Sequence, residues 1–541
     1  MAHQGKIVNG FLKAQGTDIV NGAGERIILK GWGLGNWLLC EGYMWLSDGS
    51  SRFDRPRRIE AVIRELTGSE YSKNFWEKFR DRYITRDDVR YMAQLGYNSV
   101  RLPINWRILM EDEPGIIWKE DGFKLIDRFL DWCEEEDLYV FLDLHGAPGG
   151  QTGHNIDDSI DDMPRLFMDQ DSWDKGIALW GELARRYKNR EVVGGYDILN
   201  EPLRPGLTNE KNLDYLLPRL AKFYDEAIAE IRKYDTKHMI SLEGHHWATD
   251  ISVFYKVYDE NSLIHFHRYA CLPGLESFRP YLEISKRLNL PLWLGETGEN
   301  IVEWYAAMYP LSVSLGIGYN LWTWKKMNCT NSPLSVKKPE GWEKIIAYTK
   351  GGPRPSYEEA QAIFDQYLEN IKFENCVKNE AVNIHVFRHP GCRVRGTDFD
   401  LLPGKGITYS GIRNEGNIYG YQTETGMKIV PVSDTPMDKR FFFDCGWDQL
   451  TLEMEAGEFA VYSFEKIEEG CRLKLELSLS QNASLAIYQD DALLSEVKPN
   501  DSAQKQEVIV DRLNPSSASR FKVLVKNGVI RFDAISLLAA E

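Results

Sequence analysis

VVGGYDILNEP (192–202) opens on branched apolar residues and glycine and closes on Asn200, Glu201 and Pro202. A short apolar run that turns polar at its end reads as a buried parallel strand with chemistry at its C-terminal tip. Seven more stretches follow the same rule: RIILKGWGLGNW (26–37), YNSVRLPINW (97–106), LYVFLDLHGAP (138–148), HMISLEGHHWA (238–248), LIHFHRY (263–269), LPLWLGETGE (290–299) and IGYNLWTWK (317–325). Amphipathic segments of helical period separate them. Eight such units over about 300 residues predict a (β/α)₈ TIM barrel, an α/β fold with its site at the C-terminal ends of the strands. A doubly wound open sheet is disfavoured, because no glycine-rich phosphate loop follows the first strand.

Outward from these runs, residues 38–90 form a long insert with two helical patterns, RPRRIEAVIRELTG and YSKNFWEKFRDRYI, placed to wall the mouth of the barrel. After the eighth run, the breaker GGPRPS precedes SYEEAQAIFDQYLENIKF, an amphipathic helix expected to close the barrel. The expected division is a barrel over 1–375, with an N-terminal β-hairpin as lid, and a C-terminal β-sandwich over 376–541. The sandwich is read from short alternating segments such as FAVYSF, CRLKLELSLS, ASLAIYQ and VIRFDAISLL.

The net charge of −16 repels phosphate backbones and excludes nucleic acid as an expected partner. No run approaches the roughly 20 apolar residues of a membrane span. The eight cysteines are scattered, without CxxC spacing, and read as buried reduced thiols rather than a disulfide framework or zinc site. MAHQGKIVNGFLKAQG lacks a basic start and an apolar core, so a cytoplasmic location is expected, or a secreted one if a leader has been removed.

Glu201 and Glu296 end the fourth and seventh predicted strands and so face one mouth. Glycosidic bond cleavage needs one carboxyl that protonates the leaving oxygen and one carboxylate that attacks the anomeric carbon or activates water. Asn200 can donate to a sugar 2-hydroxyl, and Arg101, after an apolar run, can hold Glu296 ionised. His145, His267 and Tyr269 can orient carboxylates and hydroxyls, while Trp322 can stack on a sugar ring. Glu243 is a third strand-end carboxylate, expected to support the other two. Clustering of His245, His246, His265 and His267 could suggest a metal, but no third ligand type accompanies them; neither metal nor cofactor is expected.

ILNEP, WLGETG, RLPINW, DLHGAPG, HFHRY and NLWTWK together resemble glycoside hydrolase family 5, the cellulase-type family of retaining barrel enzymes, over roughly residues 17–375. The resemblance implies Glu201 as acid/base and Glu296 as nucleophile, with Arg101, His145, Asn200, His267, Tyr269 and Trp322 around them. GWGLGNWLLCEGYM and DLHGAPGGQTGHN resemble the exo-β-1,3-glucanase and β-glucosidase branch, which implies that Glu41 reaches the terminal sugar; Asn155 stands where that branch commonly has Asp. The implied activity is exo-acting hydrolysis of a terminal β-linked hexose, with an endo-β-glucanase or mannanase, or a silent carbohydrate-binding protein, as rivals. GKGITYSGIRNEGNIYGYQ, EAGEFAVYSF and VIRFDAISL are similar to carbohydrate-binding modules of families 6 and 35, implying a jelly roll with structural calcium; Gly396 and Thr397 replace their leading Ala-Glu pair.

Overall fold

The computed structural model describes residues 6–47, 52–206, 212–413, 420–433, 447–480, 482–498 and 505–540. Cys445 and residues 414–419 of the GKGITYSGIRNEGNIYGYQ stretch lie outside them. An antiparallel hairpin, β1 (Lys13–Gln15) and β2 (Asp18–Val20), comes first. The barrel strands follow: β3 (Lys30–Gly33), β4 (Ser99–Asn105), β5 (Tyr139–Gly146), β6 (Val193–Asp197), β7 (Met239–Glu243), β8 (Ser262–Arg268), β9 (Leu292–Gly298) and β10 (Gly318–Trp322). They are parallel and closed, with β10 pairing both β3 and β9. Seven lie inside their apolar runs, and β8 begins one residue before its own.

The first run yields only a four-residue strand, for a steric reason. A Cβ on Gly33 or Gly35 would stand 2.5 or 2.6 Å from the indole of Trp322, so the chain passes under that ring and cannot carry side chains there. The hairpin sits at the opposite end. Ala14 N donates to Asn261 Oδ1 (2.9 Å) just before β8, and Ile7 N and Val8 N donate to Asp137 (2.6 and 2.7 Å) just before β5. It therefore covers the floor of the barrel rather than the mouth.

The 38–90 insert divides in two. Residues up to 47 line the mouth, while helices Pro56–Thr67 and Ser69–Arg82 pack on the barrel's flank against helix Tyr357–Asn370. Trp45, Phe75, Phe79, Trp342, Phe364 and Tyr367 form the aromatic core between them. Two short parallel strands, β11 (Lys325–Met327) and β12 (Leu334–Val336), extend from the mouth, and β13 (Val377–Lys378) pairs with β12.

The C-terminal strands are β14 (Arg393–Arg395), β15 (Lys428–Pro431), β16 (Leu450–Glu455), β17 (Phe459–Ile467), β18 (Arg472–Leu479), β19 (Ser484–Gln489), β20 (Ala492–Val497), β21 (Lys505–Val510), β22 (Ser516–Asn527) and β23 (Val529–Leu538). They form two antiparallel sheets, β15-β16-β23-β18-β21 with β14 on β23, and β17-β22-β19-β20. β18 alternates buried leucines with half-buried polar residues, the pattern of a strand with one face in a sandwich core. Arg388 joins the sandwich to the barrel. Pro310 lies inside helix Val302–Ser314 and has no N–H for the carbonyl of Ala306; Arg388 Nε donates to that oxygen at 2.7 Å. Its Nη1 binds Asp400 (2.9 Å) and its Nη2 the carbonyl of Asp398 (3.2 Å). Among the described residues, no helix is long and apolar enough to cross a membrane.

Lys325 is fully buried and holds three parts of the barrel together. Its Nζ reaches Asp88 Oδ1 (2.8 Å) and the carbonyls of Tyr83 (2.6 Å) and Ile371 (3.2 Å). Asp88 also takes Trp324 Nε1 (3.0 Å) and completes the capping box with Thr85. Removing one partner of a buried ion pair costs about 3–5 kcal/mol, because the other charge is stranded. Asp88→Ala should therefore lower stability by about that amount, read as a large drop in the chemical-denaturation midpoint; a change of a few tenths would show that the pair is not holding the fold.

Candidate active site

The mouth is built around Arg101. It is the third residue of β4 rather than its last, so its side chain rises through the barrel interior with no solvent exposure. Nε donates to Asp197 Oδ2 (2.8 Å), Nη1 to Glu296 Oε2 (2.6 Å), and Nη2 to Asn200 Oδ1 (2.9 Å) and Glu243 Oε1 (2.8 Å). Asp143 Oδ2 stands 3.1 Å from Nη2. One planar fork thus fixes acceptors on or beside four other strands.

Glu296 lies in β9 and Glu201 four residues past the end of β6. Tyr269, just beyond β8, donates to the second oxygen of Glu296 at 2.9 Å. Gly295 leaves room beside it: a Cβ there would stand 2.0 Å from His265 Nε2. Glu201 has a left-handed backbone (φ 42°), a conformation that costs a non-glycine residue about 1–2 kcal/mol. The surroundings enforce it. Glu201 N donates to Glu243 Oε2 (2.7 Å), and Thr152 Oγ1 donates to the carbonyl of Glu201 (2.9 Å). Gln151 braces the same loop by donating to the carbonyls of His145 and Asn200, both at 2.8 Å. His267 Nδ1 meets Glu201 Oε1 at 2.8 Å. An oxygen of Glu201, an oxygen of Glu296 and a nitrogen of His267 lie within 4.8 Å of one another.

Both oxygens of Glu243 are taken up, by Arg101 and by Glu201 N, and its side chain is sealed from solvent. It positions the other carboxylates and has no free oxygen for attack. Asn200 has its Oδ1 tied to Arg101 while its buried Nδ2 has no partner in the protein, leaving one amide donor for a ligand.

The charges divide sharply. Burial opposes a charged His267, but Glu243, Glu296 and Glu201 outweigh it and hold the pKa well above the usual histidine value, so this ring is an imidazolium. His265 is pushed the other way by burial. The charged His267 can then donate from Nε2 to His265 Nε2 (3.0 Å), and His265 from Nδ1 to Asp197 (3.0 Å). Burial raises the Glu296 pKa, while His267 and Arg101 pull it back. Burial, reinforced by Arg101, takes His145 down to about 3, and burial also holds Asp143 well above the carboxylate range. Asp143 Oδ2 thus lies between His145 Nδ1 (2.8 Å) and the Arg101 guanidinium.

The wall of the site comes from 38–47 and β10. Trp322 stacks on His145 (centroids 5.1 Å, 2° between planes) and donates from Nε1 to Tyr43 OH at 2.7 Å. Glu41 is buried, with Oε1 4.0 Å from His145 Nε2; burial, with Glu296, Glu299 and Glu201 nearby, raises its pKa well above the usual carboxylate value. Lys326 pairs with Glu299 beside Tyr43. Asn155 is set apart from the cluster. It is half-buried in the loop after β5, whose neighbouring residues Ser159 and Asp162 are tied to Arg55 of the insert. The strand-end pattern does not reveal Asp143, Asp197, Tyr43, Gln151 or Thr152. For the two aspartates, a signal exists: an acid inside an otherwise apolar strand, FLDLH and GYDIL, requires a buried cation.

The buried trios Glu201–His267–Glu296 and Glu243–His265–His267 bring possible metal donors within 4.8 Å. Arg101, bonded to Glu243 and Glu296, already supplies positive charge beside both trios.

Residues 60–328 match the cellulase family, glycosyl hydrolase family 5. Among curated proteins, the chain is 34% identical over 274 residues to a β-xylosidase of Phanerodontia chrysosporium, covering 50% of this chain and 54% of that one. It is 30% identical to a glucan 1,3-β-glucosidase of Candida oleophila over 38% of this chain and 48% of that one. It is 26% identical to endoglucanase C of Acetivibrio thermocellus over 47% of this chain and 88% of that one. The chain thus spans about half the length of the xylosidase and the glucosidase. With six site segments on one closed parallel barrel and a family match running from the insert helices to just past β11, residues 60–328 form a glycosyl hydrolase family 5 cellulase domain.

Proposed function

We propose that the chain is a retaining, exo-acting β-glycosidase that removes a terminal β-linked hexose, glucose in the first instance, from an oligosaccharide or glycoconjugate. The observation that carries the reading is that one carboxylate oxygen of Glu201 lies within 4.8 Å of one of Glu296. Retaining pairs stand about 5–5.5 Å apart, whereas inverting pairs leave about 6.5–9.5 Å for a water. Glu296, held by Arg101 and Tyr269, attacks the anomeric carbon while Glu201 protonates the leaving oxygen. Glu201 then takes a proton from water, which displaces Glu296 and releases the sugar with its configuration retained. Asn200 Nδ2 is placed to donate to the 2-hydroxyl, while Trp322, stacked on His145 and 3% exposed, backs the wall of the mouth rather than offering a free face to the sugar. Glu41, which is buried, and Tyr43 close one side of the mouth, which favours a blind pocket over an open groove.

The endoglucanase relative favours a second reading, internal cleavage of a β-glucan. Product analysis decides between them: an exo enzyme releases monosaccharide from the first minutes, and an early ladder of oligosaccharides would overturn the exo reading. The xylosidase relative makes an aryl β-xyloside the necessary companion to the aryl β-glucoside in the substrate screen.

Glu296→Gln should abolish turnover with the fold intact, since a neutral amide forms no glycosyl ester; near-normal rates would move the nucleophile elsewhere. Glu201→Ala should still be glycosylated by a substrate with an activated aryl leaving group but deglycosylate slowly, and azide should restore turnover as the β-glycosyl azide. Recovery of the α-azide would exclude double displacement.

The nucleophile works ionised, and its pKa is raised, so the acid limb of kcat/KM should lie above the ordinary glutamate value of about 4.3. Tyr269→Phe removes a hydrogen bond to the charged form. It should lower kcat/KM by about 10- to 100-fold and move that limb to higher pH; an unmoved limb would separate Tyr269 from the ionisation of Glu296.

A further inference from the structure

Outside the carboxylate cluster, the rim of the mouth carries a second convergence of donors. After β7 the chain turns through His246, Trp247 and Ala248, all with left-handed backbone (φ 53°, 59° and 54°). Three consecutive non-glycine residues in that region need to be held. His246 N donates to the carbonyl of Leu203 (3.0 Å), two residues past Glu201, while Thr249 N and Asp250 N return to the carbonyl of His245 (3.1 and 3.0 Å).

The turn sets two consecutive imidazoles side by side, with centroids 4.1 Å apart, where an extended strand would send them to opposite faces. Both direct Nε2 at Asp214 Oδ1, on the loop after β6, at 3.6 Å for His245 and 2.6 Å for His246. One donor atom from each of the three residues lies within 4.8 Å of the others. His245 is 2% exposed and its Nδ1 has no hydrogen-bond partner; Asp250 Oδ1 stands 3.6 Å from that nitrogen.

We propose that Asp214, His245 and His246 bind a divalent transition-metal ion of the zinc type, which fastens the loop after β6 to the turn after β7. Two imidazole nitrogens and one carboxylate oxygen suit such an ion, whereas calcium and magnesium prefer oxygen alone. Ligands about 2.1 Å from a tetrahedral centre stand about 3.4 Å from one another. The His245–Asp214 spacing already matches. The His246–Asp214 contact opens by less than about 1 Å as the ion replaces a hydrogen bond. Water takes the fourth position. Asp214 is half exposed and gives the ion its way in, and Asp250, 3.6 Å behind His245 Nδ1, is the carboxylate available to that nitrogen once the ring is ligated. Arg101 binds Glu243 and Glu296 of the trios in the catalytic centre, whereas the ion-pair contacts of Asp214, His245 and His246 among the described residues are with one another and with Asp250.

Full-length protein freed of metal with EDTA is titrated with Zn²⁺ by calorimetry and melted with and without it. One equivalent should bind, and saturating zinc should raise the Tm by several degrees. His246→Ala and Asp214→Asn should each lose the equivalent and the Tm rise, whereas Glu201→Gln should keep both. Asp214 is half exposed, so its variant tests the site even if His246→Ala fails to fold. No binding at millimolar zinc would overturn the proposal, as would an equivalent that survives both rim variants or one that disappears in Glu201→Gln. Hydrolysis is read in no arm, so the outcome is independent of the glycosidase reading.

Discussion

A single buried guanidinium sets the geometry of the mouth. Arg101 sits where water cannot reach it, and a charge in that position persists only with its donors matched and its charge answered. Asp197, Glu243 and Glu296 supply the answer from three different strands, and Asn200 and Asp143 complete it. The barrel must therefore close in the correct register for the cation to be satisfied, and when it does the Glu296 carboxylate is already oriented. Preorganisation of this kind places the cost of arranging charges in folding rather than in the reaction.

A second positive group, the His267 imidazolium, does for Glu201 what Arg101 does for Glu296. The chain of contacts from Glu201 through His267 and His265 to Asp197 ends on the same aspartate that Arg101 binds. The two carboxylates of the candidate pair are thus held by one connected network but by different cations. Glu243 touches both halves, through Arg101 and through the backbone of Glu201. That connection gives it a role without any access to a substrate.

The strands were legible because parallel strands buried on both faces have little choice but to be apolar until their tips. Glu201, Glu296, His267 and Tyr269 announce themselves at or just beyond those tips. Arg101 is legible as a residue but not in depth: RLPINW suggests a strand end, yet the side chain is anchored low and reaches up, which only the length of an arginine permits. Asp143 and Asp197 depend on partners 42 to 96 residues away, a distance in sequence that only barrel closure resolves. The insert behaves likewise. Its helical periodicity is plain, but which flank the helices cover depends on aromatic partners near residues 342–367. The left-handed turn at His246 breaks the alternation that a strand reading imposes on HHWA, and nothing local in those four letters encodes it.

Pro310 and Arg388 have a consequence for how such a protein can change over time. A proline inside a helix leaves a carbonyl unanswered, and here the answer arrives from the far side of the domain junction. The sandwich is in this sense a missing piece of a barrel helix. Linker-joined modules can be exchanged by recombination with little penalty, but a replacement here would have to bring a guanidinium to the same oxygen.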